Sequence, residues 1–433
     1  MSQKLIKRDY LDKLIAFKDT SFIKIITGIR RSGKSKLLDL MIEYLIENGT
    51  TENQIIKMNF ESYIFKNYTD DDVYNYIKER VVLGKKMYIF LDEIHKVQDW
   101  ENVVNGLRVD FDSDIYITGS NAYLLSSEYA TYLSGRTIEI KLLPLSFREF
   151  AMFNDYSLHR TKTLAGDNYI EILDSDNKTV DRQQLFDAYM KFGGFPSIRE
   201  IGLNQESVLT MLDGIYETVI HKDIMQRSSR DLRKITDEVL LDKIIYFLAD
   251  NIGNNVSYNK TREILKNEGL LNYKDTLPSV NTIGAYVKAL QDAYVFYEIK
   301  RFDIKGREYL RTLGKYYIVD TGLRNYLLGY KLRDVGHVIE NIVYFELLRR
   351  GYDVAIGKIK DLEIDFIAVN KDERVYIQVS QSISDDKVKE RELKPLKMVE
   401  DNYKKMVITL DCNYETNIDG IEIVNIIDWL LDK

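Results

Sequence analysis

The sequence predicts an α/β fold whose first third is a parallel sheet covered by helices, and three observations carry that prediction. Nearly continuous apolar strands alternate with helical stretches, a glycine-rich loop follows the first strand, and two adjacent acids end the third.

The strand-like runs are FIKIITG at 22–28, QIIKMNF at 54–60, MYIFLDE at 87–93, DIYITGS at 114–120 and TIEIKLL at 137–143. Strands that are apolar at almost every position have both faces buried, which parallel sheets achieve with crossover helices. From 154 to 182 the pattern breaks into polar, turn-rich sequence, with ILDSDNKTV as a hairpin tip. Helical periodicity resumes at Gln184 and runs with interruptions to about Leu290, and the last hundred residues mix helix and strand. We expect four units: a core over 1–153, a hairpin insert and helical lid over 154–231, a third unit over 232–335 and a small α/β unit over 336–433.

Composition limits what these units can be. With 45% hydrophobic and 30% charged residues over 433 positions, the chain can bury several cores. No apolar run reaches the roughly 18 to 20 residues of a membrane span, and MSQKLIKRDY lacks a signal-peptide core, so a soluble, cytoplasmic protein without membrane partners is expected. Cys412 stands alone and only four histidines are present, which leaves no intrachain disulfide and poor material for a zinc site. A net charge of -7 disfavours nonspecific coating of nucleic acid, although a local basic face could still dock on DNA.

The run GIRRSGKS at 28–35 matches G-x-x-x-x-G-K-[ST] directly after an apolar strand, the context that the motif requires. Gly28 and Gly33 let the backbone turn so that successive amides and a helix N-terminus face an anion, with Ile29, Arg30, Arg31, Ser32 and Lys36 completing the cradle. Lys34 is placed to reach β- and γ-phosphates, and Ser35 offers a hydroxyl to Mg²⁺. ATP and Mg²⁺ are therefore the expected cofactors. A carboxylate at a neighbouring strand end should hold that metal through water, and Asp92 supplies it. Glu93, one residue on, is placed to orient and deprotonate an attacking water. His95 could act as a relay, but a solvent-facing loop histidine is the preferred reading. Ser120 and Asn121, at the end of the fourth strand, could sense the γ-phosphate, though a strand-ending turn explains them too. Arg136, on a turn before the fifth strand, could reach a phosphate of a neighbouring subunit; a plain surface arginine is the other reading.

The motifs RDYLDKL, IITGIRRSGKS, FLDEIHKVQDWE, ITGSNAYLLSS, LSGR and LPLSFREF together resemble the prokaryotic AAA-type ATPases related to the STAND signalling NTPases. The resemblance continues through YMKFGGFPSI and the C-terminal region. It implies an ATPase core, a helical lid, a winged helix and a restriction-endonuclease-like domain. It also implies that Pro196, in a G-x-P element with Gly194, packs against the nucleotide base; without it, GGFP is a helix stop and a turn.

Three helical stretches over 232–292, followed by FYEIKRFDIKGREYLRTLGKYYIVD, read as a winged helix whose two-stranded wing turns at Lys305 and Gly306. Its third helix carries one lysine, Lys288, so docking on protein competes with docking on DNA as its role. In the C-terminal unit, Glu340, Glu363 and Asp365 are the acids of a nuclease-like site, but Gln378 and Ser380 occupy the positions where the resemblance calls for a second acid and a lysine. We expect no nuclease activity, with Lys387 and Lys389 as the alternative cations. Glu363 and Asp365 are expected on alternate faces, and Glu340 should satisfy a buried partner. The expectation for the whole chain is a self-associating, Mg-ATP-hydrolysing switch for an unidentified protein or DNA partner. An ATP-regulated DNA-binding protein and an ATP-dependent nuclease are the alternatives.

Overall fold

The computed structural model describes residues 5–120, 135–162, 168–225, 235–267, 278–306, 308–309, 314–412 and 415–432. It divides into two compact units, one of Met1–Leu143 with Asp292–Tyr294, the other of Pro144–Gln291 with Val295–Lys433. The first boundary falls earlier than the expected residue 153, and the three later expected units form one compact body. Among the described residues no helix is long and apolar enough to cross a membrane.

In the first unit all five expected strands form: β1 (Ile23–Thr27), β2 (Ile55–Asn59), β3 (Met87–Asp92), β4 (Ser113–Gly119) and β5 (Thr137–Lys141). They pair in parallel in the order β2-β3-β4-β1-β5. Side chains alternate between two cores. Ile25, Ile89, Leu91 and Ile117 pack with Val104 and Leu107 on one face, while Ile26, Phe90 and Tyr116 pack with Leu38 and Met41 on the other. Each such side chain contributes roughly 1.5–3 kcal/mol on burial, so the strands read as mostly apolar runs, and the buried Lys24 of β1 is paired with Asp114 of β4. The order has a functional consequence, because β4 lies between the strand that carries the glycine loop and the strand that ends in acids.

In the second unit, β6 (Ser157–Lys162) and β7 (Asn168–Leu173) pair antiparallel, and ILDSDNKTV, expected as the hairpin tip, instead lies at the end of β7 and beyond it, where the Asp174 amide donates to Lys178 O. Helices Arg182–Phe192 and Gln205–Glu217 follow. Helix Glu238–Asp250, strand β8 (Asn255–Val256) and helices Tyr258–Asn267 and Val280–Asp292 then lead into β9 (Phe296–Ile299), β10 (Arg301–Asp303), β11 (Glu308–Tyr309) and β12 (Gly314–Ile318). The C-terminal segment adds β13 (Asp353–Ile359), β14 (Leu362–Val369), β15 (Arg374–Ser380), β16 (Lys404–Thr409), β17 (Asn417–Ile418) and β18 (Ile421–Asn425), with helix Val335–Arg349 preceding them.

The wing differs from expectation. Its turn is present, with the Lys305 and Gly306 amides donating to Asp303 Oδ1. β12 pairs with both β9 and β8 in a three-stranded sheet, but β10 and β11 form the edge of an eight-stranded sheet, β10 running parallel to β13. An edge strand exposes a row of unpaired backbone groups, and β10 satisfies those of β13. A boundary at 335/336 therefore cuts through a sheet.

The GGFP segment acquires a packing explanation. A Cβ on Gly194 would lie 2.5 Å from Leu145 O, and one on Gly193, whose φ is 77°, 2.1 Å from Asp320 Oδ1. That close approach lets the Gly194 amide donate to Asp320 Oδ2 at 2.6 Å, while Asp320 Oδ1 accepts the Leu323 amide and caps helix Thr321–Leu328. Burial pushes the Asp320 carboxyl up to about 6, against the opposing pull of its amide donors. A folded-state value above the unfolded one means that this stability contribution is complete below pH about 4 and is lost as pH rises through about 6. Asp320→Asn cannot ionise, so its stability relative to wild type should rise by about 2–3 kcal/mol between pH 4 and pH 7. Denaturant melts at the two pH values check this, and a pH-independent difference would refute it.

Candidate nucleotide site

The glycine loop runs from the end of β1 into helix Lys34–Glu47, whose first amides have no partner within the helix. Gly28 has φ 140°, and a Cβ there would lie 2.2 Å from Leu142 O, so the first glycine is fixed by both conformation and space. Arg31 (φ 63°) and Gly33 (φ 99°) are left-handed, which turns the loop over the helix end. Lys34 Nζ donates to Gly28 O at 3.0 Å and Ile29 O at 3.2 Å, holding the ammonium against the loop. Arg8, nearly fully buried, donates to Ser32 O and Leu143 O and braces the loop from outside. Ser32 Oγ is fully buried and has no hydrogen-bond partner among the described residues. Ser35 lies in the first helical turn, whereas the Lys36 ammonium pairs with Asp39 on the surface.

Asp92 ends β3, fully buried, and is held from two neighbouring strands. Asn59 of β2 donates to its Oδ2 at 3.1 Å and the Thr118 hydroxyl of β4 to its Oδ1 at 2.5 Å. Thr118 Oγ1 in turn accepts the Glu93 amide at 2.9 Å, so one hydroxyl orients both acids. Glu93 has φ 56°, a strained conformation for a residue with a side chain, and this bond helps to hold it. Ser120 Oγ lies 3.5 Å from Glu93 Oε2 and His95 Nδ1 3.4 Å from the same oxygen. His95 is thus a half-buried neighbour of the acid rather than a solvent-facing residue. Burial pushes the Glu93 carboxyl up; Lys34 opposes the rise and Asp92 adds to it.

The donor set suits a magnesium nucleotide. Arg31 and Gly33 turn the loop over helix amides that lack partners within the helix, Ser32 Oγ is a buried hydroxyl without a partner among the described residues, and Ser35 with Asp92 offers the hard oxygens that Mg²⁺ takes. Of the remaining expected residues, Asn121 lies outside the described residues, and Pro196 belongs to the second unit, where its carbonyl accepts the Arg199 amide. Arg136 O accepts the Ile23 amide at the start of β1. The glycine loop lies at the other end of this five-residue strand, roughly 15 Å away, so Arg136 does not serve the loop of its own chain. Its guanidinium reaches Asn105 Oδ1 at 3.4 Å. Sequence reasoning missed Asn59, Thr118, Glu61 and Arg8. The polar residues that end β2 and β4 were the available signal for the first two.

The second unit contains the nuclease-like carboxylates around a cavity of about 650 Å³ lined by Glu340, Glu363, Asp365, Gln378, Ser380 and Glu392. Lys315, from β12, sits among the acids: its Nζ is 3.0 Å from Glu340, 2.7 Å from Glu363 and 3.9 Å from Asp365. The expectation that Glu363 and Asp365 alternate faces fails, because residues two apart on a strand share a face. The expectation that Glu340 satisfies a buried partner holds, since it also accepts the Tyr317 hydroxyl. Lys315 is the cation that pairs with these acids, and the arginines that line the cavity are Arg333 and Arg391; Lys387 and Lys389 do not line it. Gln378 donates to Glu392, and its carbonyl accepts the Asp365 amide. Among the described residues no group of three or more His, Cys, Asp or Glu is arranged to hold a metal ion.

Comparison with known proteins agrees with the first unit. An AAA domain family matches residues 20–151, and a domain of unknown function matches 183–334. An uncharacterized protein of Haemophilus influenzae is 42% identical over all of both chains. An uncharacterized protein of Methanocaldococcus jannaschii is 29% identical over 98% of this chain and 88% of its own. Among solved structures, a Walker-type ATPase of Pyrococcus abyssi has a TM-score of 0.48 at 14% identity, covering 75% of this chain and 96% of that one. The ORC2 protein of Aeropyrum pernix in its ADPNP–ADP complexes has a TM-score of 0.39 at 13% identity, over 78% and 92%. With its glycine loop, paired acids and parallel sheet, the chain belongs to a family of P-loop AAA-type ATPases that it shares with the Haemophilus influenzae protein.

Proposed function

We propose that the chain binds and hydrolyses Mg-ATP and uses the cycle as a switch for a partner. The observation that carries this reading is the Thr118 hydroxyl, which fixes Asp92 and Glu93 together beside the loop that holds Lys34. In this reading the helix amides and Lys34 bind the triphosphate, Ser35 and Asp92 hold the metal, and Glu93 takes the proton of the attacking water. Bound Mg²⁺ would supply charge neutralisation on the β- and γ-oxygens. Ser120, beside Glu93, helps to orient that water. Release of phosphate by purified protein with Mg-ATP, lost on chelation, tests the reading directly.

Arg136, at the sheet edge away from its own loop, is suited to act in trans. Arg136→Ala should lower turnover with little change in ATP affinity, and wild-type activity per subunit should rise with protein concentration. A finger supplied in trans is worth up to roughly 10³ to 10⁵ in rate. A concentration series of kcat checks this, and constant activity from a strict monomer would exclude it.

For the partner we favour a protein over DNA. The segment Glu238–Ile318 has the element order of a winged helix, but the tip of its wing is paired into the C-terminal sheet, which leaves fewer groups for phosphates. Helix Val280–Asp292 carries only Lys288 as a cation. Retention on duplex DNA that weakens steeply with salt would favour the DNA reading instead. The C-terminal carboxylates, closed by Lys315, support a docking role without nuclease activity.

A further inference from the structure

We propose that Glu61 is a positioning residue that couples the glycine loop to the loop carrying Glu93, by holding Arg30 of the first and Lys96 of the second on one carboxylate oxygen. The inference rests on the ATPase reading above. Both contacts are to Glu61 Oε1: Arg30 Nη2 at 2.8 Å and Lys96 Nζ at 2.8 Å. Glu61 is placed for this by its own strand end. Its amide donates to Asn59 Oδ1 at 2.8 Å, and the same Asn59 side chain donates to Asp92 Oδ2. The end of β2 thus touches the glycine loop, the metal-side acid and the turn behind Glu93, in which the Lys96 amide donates to Glu93 O at 3.2 Å. Burial would raise the Glu61 carboxyl, but the bond to Lys96 and the charges of Lys96 and Arg30 hold it below its ordinary range, so it stays anionic at neutral pH.

Two consequences follow from sharing one oxygen. Arg30, in the second variable position of the loop, has its charge partly spent on Glu61, and a triphosphate arriving at the loop competes for it. Lys96, left with a less shared carboxylate, then draws the turn behind Glu93 toward β2. Glu61 accordingly lowers affinity for the triphosphate and raises the rate at which Glu93 acts on it. A residue with a merely structural role would support both or neither.

The test uses the full chain, with ATPγS binding measured by calorimetry and ATP turnover measured at saturation, for wild type, Glu61→Gln, Arg30→Gln and the double variant. Glu61 is partly exposed, so the amide should be tolerated by the fold. Glu61→Gln is expected to bind ATPγS roughly twofold to fivefold more tightly, the range for a partly exposed ion pair released to another anion, while kcat falls by a similar factor. In the Arg30→Gln background the gain in affinity should vanish and the loss in kcat should remain, because Lys96 still loses its partner. Parallel loss of affinity and kcat, no change in either, or an affinity gain that survives Arg30→Gln would overturn the proposal. Wild-type protein that binds ATPγS without hydrolysing ATP would overturn the ATPase reading instead, and the affinity arm would still decide whether Glu61 restrains Arg30.

Discussion

Glu93→Gln is expected to bind Mg-ATP about as tightly as wild type and to hydrolyse it roughly 10²- to 10⁴-fold more slowly, the usual contribution of a positioned general base. Lys34→Ala should instead lose measurable nucleotide binding. The two residues separate because their environments do. Lys34 is nearly buried and bonded to the carbonyls of Gly28 and Ile29, so its ammonium belongs to the phosphate cradle. Glu93 is held by backbone from Thr118, which keeps its carboxylate available. Glutamine preserves that backbone contact and the side-chain size, and removes only the capacity to accept a proton. Because burial raises the Glu93 carboxyl, wild-type kcat should also fall on the acid side, as the base becomes protonated at higher pH than an exposed glutamate would. Wild-type turnover by Glu93→Gln would remove the base from this assignment.

Much of this site was legible in the sequence because motif and strand context coincide. Gly28 follows the end of β1, Gly33, Lys34 and Ser35 open the helix after it, and Asp92 and Glu93 end β3, the side of a parallel sheet where functional groups gather. The five strands of the first unit were legible because burial on both faces keeps most of their positions apolar. What the sequence did not reveal are contacts fixed by strand order. Thr118 and Asn59 orient Asp92 only because β4 and β2 flank β3, and sequence spacing does not encode that adjacency. Glycines were legible as special but not as to cause: GGFP read as a helix stop and a turn, with Pro196 as the base contact that the resemblance implies, and the structure shows Gly193 and Gly194 making room for Asp320 and Leu145. The wing failed as an independent element because the pairing of β10 with β13 joins segments far apart in sequence.

The C-terminal carboxylates lead to the second large effect, which concerns stability rather than cleavage. Lys315→Ala should destabilise the second unit by about 3–5 kcal/mol, the cost of leaving a buried charge without its partner. Burial alone would draw the Lys315 ammonium down, yet Glu340, Asp365 and Glu363 outweigh it and raise it above an ordinary lysine. Conversely, burial pushes the Asp365 carboxyl well up, Glu340 adds to this, and Lys315 only partly opposes it. A carboxyl shifted that way keeps its proton at higher pH and is a poor ligand for a hard divalent cation, which binds ionised oxygens. Gln378 offers a neutral carbonyl already engaged with Asp365, and Ser380 donates to Ser382 O. The cavity therefore has its cation covalently supplied, and that cation ties β12 to the helix bearing Glu340 and to β14. Purified protein with ATP and Mg²⁺ or Mn²⁺ should leave linear, supercoiled and branched DNA intact. Removing the charge from Lys315 and from its most deeply buried strong partner, as in Lys315→Met with Glu340→Gln, should recover a large part of the stability lost in Lys315→Ala, because Glu340 is then not left charged, Glu363 is partly exposed and burial already pushes the Asp365 carboxyl up. Denaturant melts of the three proteins decide the point. Full stability of Lys315→Ala, or DNA cleavage that Asp365→Ala abolishes with the fold intact, would show that these acids serve chemistry and not the joining of the two elements.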